Sequence, residues 1–154
     1  HKEYRRQRQM CIRDRIWFKP LSIEDLKDSA VNMDKNLGIE FTEIGDDYIV
    51  ARMPVIEKTK QPYGILHGGA SCVLAESLGS TAAALSMDSE KKYPVGIEIN
   101  ANHLSSPTEG FVYAKAMPVH IGGSTSVWNI DITDDAGKRV CYSRFTAMHK
   151  SYPA

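Results

Sequence analysis

A surplus of charge of either sign is missing from this sequence. Nineteen Lys and Arg balance nineteen Asp and Glu, for a formal net charge of +0 over 154 residues. Proteins that bind nucleic acid by neutralising phosphates carry a basic surplus, so no nucleic-acid partner is expected. Cysteine is scarce. Cys11, Cys72 and Cys141 form an odd set without metal-ligand spacing, so they read as free thiols in a reducing, cytoplasmic setting. A long uncharged apolar run is also missing. The Ala70–Leu85 run carries Glu76 and is slightly short for a membrane span, so no membrane partner is expected. No His/Cys/Asp cluster calls for a metal. Internal repeats, low-complexity tracts and linkers are missing too. What remains is an ordinary globular composition, 42% hydrophobic and 25% charged, in a chain long enough for one domain with a real core.

The neutrality is uneven along the chain. Residues 1–15 hold Lys2, Arg5, Arg6, Arg8, Arg13 and Arg15 against Glu3 and Asp14. This segment has little apolar periodicity and lacks the apolar centre of a secretory signal. It is expected to be a basic, disordered extension foreign to the domain, which would then span 16–154.

From there the pattern predicts an α+β fold. Leu21 to Leu26 reads as a helix start, with Ser22 as cap and Glu24 and Asp25 at the positive end. That helix should run to about Met33 and stop before Gly38. Strands are expected at Ile39–Ile44 and Tyr48–Val55, joined as a hairpin by Gly45-Asp46-Asp47. A Lys-, Pro- and Gly-rich loop, Ile56–Gly69, leads into a long helix from Gly69 or Ala70 to Leu85. Four strand-like runs follow: Tyr93–His103, Gly110–Ile121, Ser124–Asp134 and Lys138–Lys150. One long helix among consecutive antiparallel strands implies a sheet wrapped around that helix.

The chemistry concentrates between Gln61 and Ser80. His67-Gly68-Gly69 opens the long helix, where the first backbone N–H groups lack internal partners and suit an oxyanion. Glycines there let a carbonyl come close to the backbone. Glu76, seven residues after Gly69, lies on nearly the same helical face. An unpaired buried carboxylate is costly, and a general base or nucleophile is the functional reason to keep one. The other readings of these groups stay open: His67 as a cap or core histidine, Glu76 as half of an ion pair, Ser80 as a small helix residue. Gln61 offers an amide to orient water or substrate.

The run from Gln61 through His67-Gly68-Gly69 to Glu76 and Ser80 resembles the active-site segment of hotdog-fold acyl-CoA thioesterases. Gly96 to His103 and Gly122 to Trp128 continue the likeness, which covers about Ile16 to His149. Within this 4-hydroxybenzoyl-CoA thioesterase superfamily the chain is most similar to the 1,4-dihydroxy-2-naphthoyl-CoA thioesterases of menaquinone synthesis. The sister thioesterases that clear mischarged aryl carrier proteins share the same motifs. A non-catalytic acyl-CoA-binding hotdog protein is the alternative of another class.

The resemblance implies roles. Glu76 would be the catalytic carboxylate, and the Gly68 N–H would polarise the thioester carbonyl. Gln61 and His67 would position thioester and water, with Ser80 supporting the reacting group. Gly96, His103, Leu104, Ser105, Ser106, His120, Ile121, Gly122, Gly123, Ser124 and Thr125 would hold the CoA arm or shape the pocket. No cofactor is implied, since CoA is part of the substrate. The family implies a homotetramer of dimers with active sites shared between subunits. One departure stands out. The turn from His120 to Ser126 has no basic residue where some relatives carry one near the nucleotide. Arg144 is a candidate substitute, or an ordinary strand charge.

Overall fold

The computed structural model describes residues 15–153. Residues 1–14 of the expected 1–15 extension lie outside the described part. Arg15 lies inside it and pairs with Asp46 at 3.0 Å.

The first helix differs from expectation. In place of one helix to Met33 there is a 3-10 turn, Ile23–Leu26, and a separate helix α1, Asn32–Leu37. Local side-chain chemistry explains the break. The Ser22 N–H donates to the Asp25 carboxylate at 2.8 Å. Ser29 Oγ then donates back to the Leu26 carbonyl at 2.8 Å, closing the turn instead of extending it. Val31 is extended, at φ −132°, so the chain must restart. Gly38 ends α1 at φ 72°, a left-handed conformation that glycine adopts without a Cβ penalty.

Strands β1 (Glu40–Ile44) and β2 (Ile49–Pro54) form the expected hairpin. The long helix α2 spans Gly68–Leu85. Strands β3 (Lys92–His103), β4 (Phe111–Ile121), β5 (Thr125–Asp134) and β6 (Arg139–Ser151) complete an antiparallel sheet. Its order is β1-β2-β4-β5-β6-β3. The predicted strand ends hold to within about a residue, because the alternation that predicted them is the burial itself. Ile49, Ala51 and Met53 of β2, and Trp128, Ile130 and Ile132 of β5, are fully buried, while the residues between them are half-exposed.

That inner face wraps α2, the hotdog arrangement. Leu74, Ala75, Leu78, Ala82 and Ala83 are fully buried against it. The small residues set the separation. A Cβ on Gly79 would fall 2.5 Å from the Phe145 ring, so glycine there lets the helix settle on β6. The opposite side of α2, including Cys72, Glu76, Ser77 and Ser80, is half-buried. Ser77 Oγ donates to Asp34 Oδ1 of α1 at 2.6 Å, which fixes one flank of the helix beside Glu76. The last strand in the sheet order, β3, pairs only with β6. Its other edge, twelve residues long, has no partner among the described residues.

Candidate active site

The predicted site residues fall into three groups. The first surrounds the start of α2. His67 caps the helix, its Nδ1 accepting from the Gly69 N–H at 2.8 Å. This fixes the neutral tautomer with the proton on Nε2. A Cβ on Gly69 would lie 2.9 Å from that Nδ1, so the cap itself demands glycine. Gly68 lies against the His103 imidazole, and a Cβ there would come within 2.9 Å of Nε2. Gln61 closes a tight turn, its Oε1 accepting from the Tyr63 N–H at 2.6 Å. With the oxygen engaged, the side chain offers its N–H donors. A cleft of about 210 Å³ joins Gln61, Gly68, His103, Ser105 and Ser106. His67 and Leu104 do not line it.

Three apolar residues of this cleft, Ile65, Leu66 and Val140, escape sequence reading, as does Ser71. Ser71 is 1% exposed and lies three residues past Gly68, one turn below the helix start. That spacing was the available signal. Val140 comes from β6 and left none.

The second group sits in the middle of α2. Burial raises the Glu76 carboxyl above its ordinary value, and no cation or hydrogen-bond donor offsets that among the described residues. Ser80 is half-buried on the same side of α2, and no hydrogen bond from it to Glu76 contributes among the described residues. Gly96 of β3 lies directly against Glu76: a Cβ there would collide with Oε1 and come within 2.9 Å of Phe145. The ladder between β3 and β6 shifts register between Gly96 and Glu98, where the backbone bends past the carboxylate. Nearby thiols are poor competitors as nucleophiles. Burial, then the Glu76 charge, pushes Cys72 up, and burial holds Cys141 at about 11, so both stay protonated.

The third group is the β4–β5 turn. The Gly122 N–H donates to the Thr125 carbonyl at 2.8 Å, and the His120 ring packs over Gly122. Ile121, Gly123 and Ser124 are exposed. Arg144 is not part of this group. It faces outward from β6 beside Asn100, Asn129 and Tyr142, away from the turn.

One chain therefore does not bring its donor cleft and its carboxylate together. Gly68 and Glu76 are separated by about 12 Å along the axis, from a rise of ~1.5 Å per residue. An amide-lined helix start and a half-buried carboxylate, held by a sheet wrapped on one helix, define a hotdog enzyme of the acyl-transfer class.

The comparisons with known proteins carry this to a family. Residues 63–141 match the thioesterase superfamily model. The chain is 48% identical to 1,4-dihydroxy-2-naphthoyl-CoA hydrolase of Escherichia coli K12, over 85% of this chain and 96% of that one. It is 42% identical to the proofreading thioesterase EntH of Cronobacter turicensis, again over 85% and 96%. Among solved structures, a variant of thioesterase PA1618 from Pseudomonas aeruginosa superposes with a TM-score of 0.86. Its identity is 42%, covering 89% of this chain and 99% of that one. The chain belongs to the thioesterase superfamily, and its reaction class is thioester hydrolysis. Among the described residues no helix is long and apolar enough to cross a membrane.

Proposed function

We propose that the protein hydrolyses an aromatic acyl-CoA thioester to the free acid and CoA. The substrate is 1,4-dihydroxy-2-naphthoyl-CoA or a related aryl-CoA, which places the reaction in menaquinone synthesis. The carrying observation is Glu76, a carboxylate without cation or donor among the described residues, pressed against Gly96 on the helix that starts at Gly68. The 48% identity to a 1,4-dihydroxy-2-naphthoyl-CoA hydrolase supports the acyl group.

The chemistry needs neither metal nor cofactor, because a thioester is already activated. Its carbonyl oxygen accepts from the Gly68 N–H as negative charge develops there. Gln61 and the His67 Nε2–H position the thioester and the water. Ionised Glu76 takes a proton from that water as its oxygen attacks the carbonyl carbon. The tetrahedral intermediate then collapses, the C–S bond breaks, and the CoA thiolate leaves. Direct attack by Glu76 would instead give an anhydride that water opens in a second step. A single turnover in oxygen-18 water separates the two. Label in Glu76 supports the anhydride, and label only in the product acid argues against it.

The proposed site is built from two copies. Gly96 marks the position of Glu76 on β3, and His103 marks that of Gly68 on the same strand. Antiparallel pairing of the open β3 edges, about an axis between Ile99 and Asn100, sets Gly96 opposite His103 of a second copy. The Glu76 of one subunit then serves the Gly68 of the other. Pairs of such dimers form the homotetramer, working in the cytoplasm. His103, Leu104, Ser105 and Ser106 from one subunit, with Gly96 and the His120–Thr125 turn from the other, flank the CoA arm.

The likeness to a proofreading thioesterase favours a second reading, in which the thioester is carried by an aryl carrier protein. Benzoyl-, phenylacetyl-, naphthoyl- and aliphatic-CoA substrates should be assayed beside one acylated aryl carrier protein. Fastest turnover of an aryl-CoA supports the first reading. Fastest turnover of the carrier protein replaces it with the second. Binding of CoA esters at wild-type rates of hydrolysis in Glu76→Ala would remove the catalytic role altogether.

A further inference from the structure

The β4–β5 turn has no basic residue of its own, yet the fold brings a cation to it. Lys92 begins β3 and is half-buried. Its Nζ donates to the Gly123 carbonyl at 2.6 Å, across 31 residues of sequence. An ammonium carries three donors, so two remain. Beside it lies a cleft of about 370 Å³ whose lining includes Asp88, Lys91, Lys92, Gly122, Gly123 and His149. The charges around this cleft do not cancel. Asp88 bridges Lys91 at 3.2 Å, and Lys19 pairs with Glu90 at 3.4 Å. Lys92 has no carboxylate partner among the described residues.

The turn under Lys92 is held from below by a buried polar relay. Trp128 Nε1 donates to Ser126 Oγ at 3.0 Å. The Ser126 hydroxyl and His149 Nε2 are 2.9 Å apart. The carbonyls of Gly122 and Gly123 accept from the His149 ring, which puts its proton on Nδ1 and leaves Nε2 to accept from the Ser126 hydroxyl. Burial, then the Lys92 charge, lowers His149, which keeps the ring neutral in this role. The outer side of the turn is open: nothing lies within 4 Å of where a Cβ on Gly123 would sit. A fixed ammonium over an open glycine turn, beside a cleft with one uncancelled positive charge, is the chemistry of a phosphate site.

We propose that Lys92, seated on the Gly122–Gly123 turn, holds a phosphate of the thioester's CoA or phosphopantetheine arm. This rests on the thioesterase reading of the Glu76 site. It assigns to β3 the basic group that the turn lacks.

Three matched benzoyl thioesters test it on the full chain: those of CoA, of phosphopantetheine and of pantetheine. Lys92→Gln should raise KM for the CoA thioester about five- to tenfold, as for loss of a partly solvated charge-assisted contact. Its kcat should stay within about twofold, and the pantetheine thioester should be unaffected. Lys92→Arg should restore most of the loss, and added salt should narrow the gap between wild type and Lys92→Gln. A rise shared by the phosphopantetheine ester puts the contact on the phosphate both arms carry. A rise confined to CoA puts it on the nucleotide's phosphates. Equal rises for all three esters, or none for any, overturn the proposal. If wild type hydrolyses none of them, the thioesterase reading fails instead. Calorimetric titration of CoA itself then still decides: weaker binding by Lys92→Gln upholds the site, and equal binding removes it.

Discussion

At Gly68 the central helix offers a backbone amide, braced by the His67 cap and the His103 ring. Two turns on, at Glu76, the same helix holds a carboxylate that burial disfavours and nothing among the described residues relieves. Both places use a glycine for close approach, in opposite senses. Gly68 is the helix residue itself, cleared so that β3 can bring His103 against it. Gly96 is the strand residue, cleared so that the helix can bring Glu76 against β3. The helix start is stabilised by its own hydrogen bonds, whereas burial sets an electrostatic cost on ionising the carboxylate in the middle. In the proposed reaction one helix carries both the amide and the carboxylate, and in the proposed pairing of two copies they serve different sites.

The largest effect should come from the carboxylate. Glu76→Gln keeps the shape and removes the base, so kcat should fall by about 10³-fold, within the usual span for acid–base groups, in a steady-state aryl-CoA assay. Activity of the wild type should decline on acidification from a pH above the ordinary carboxylate value, because burial raises Glu76. The stability effect has the opposite sense. The folded chain holds this proton more tightly than the unfolded one, so ionised Glu76 costs stability near neutrality and not below its unfolded value. Glu76→Gln should therefore raise Tm at about pH 7 and give no gain at about pH 4. A Tm gain that persists in acid would break the contrast between the strained middle and the satisfied start.

Gly96→Ala comes next. Its Cβ would strike Glu76 and press on Phe145, costing about 1–3 kcal/mol of stability by overpacking. Activity should fall with it, by roughly 10²-fold for a carboxylate displaced by about an ångström. Denaturant midpoints beside kcat separate the two effects. Gly68→Ala is expected to be milder, about tenfold in kcat/KM, since its obstacle is a side chain that can turn aside. His103→Ala in the same chain should recover part of that loss. No recovery in this double-mutant cycle would mean that the imidazole does more at the helix start than crowd Gly68. Smallest of all is Arg144→Ala, on the outer face of β6. Stability should stay within about 0.5 kcal/mol, and KM for the CoA thioester should not move. A raised KM there would return Arg144 to the phosphate contacts.

Much of the fold was legible because the signals were local. The two-residue alternation of β2 and β5 is the same fact as their buried faces, and Gly137 at φ 79° in the β5–β6 turn is the conformation its sequence asks for. The missed helix break after Leu26 was local too, but it depended on Ser29 folding back on Leu26, one of several hydrogen bonds a serine can make. The site was legible only where it lies along one stretch. Gln61, His67, Gly68 and Glu76 are all on the run into and along α2. Ser71 was hidden by looking like any small helix residue.

By itself the sequence determined the elements, the glycine-opened helix and the lone carboxylate within it, because periodicity, caps and turn chemistry act over a few residues. Only the tertiary structure decided which of these groups meet. It set His103 on Gly68, Gly96 on Glu76 and Lys92 on Gly123, and it left β3 as an open edge. The reason is physical: these contacts join residues 20 to 35 positions apart, and their closeness follows from strand register and from a helix packed on the sheet. No property of either residue encodes the other.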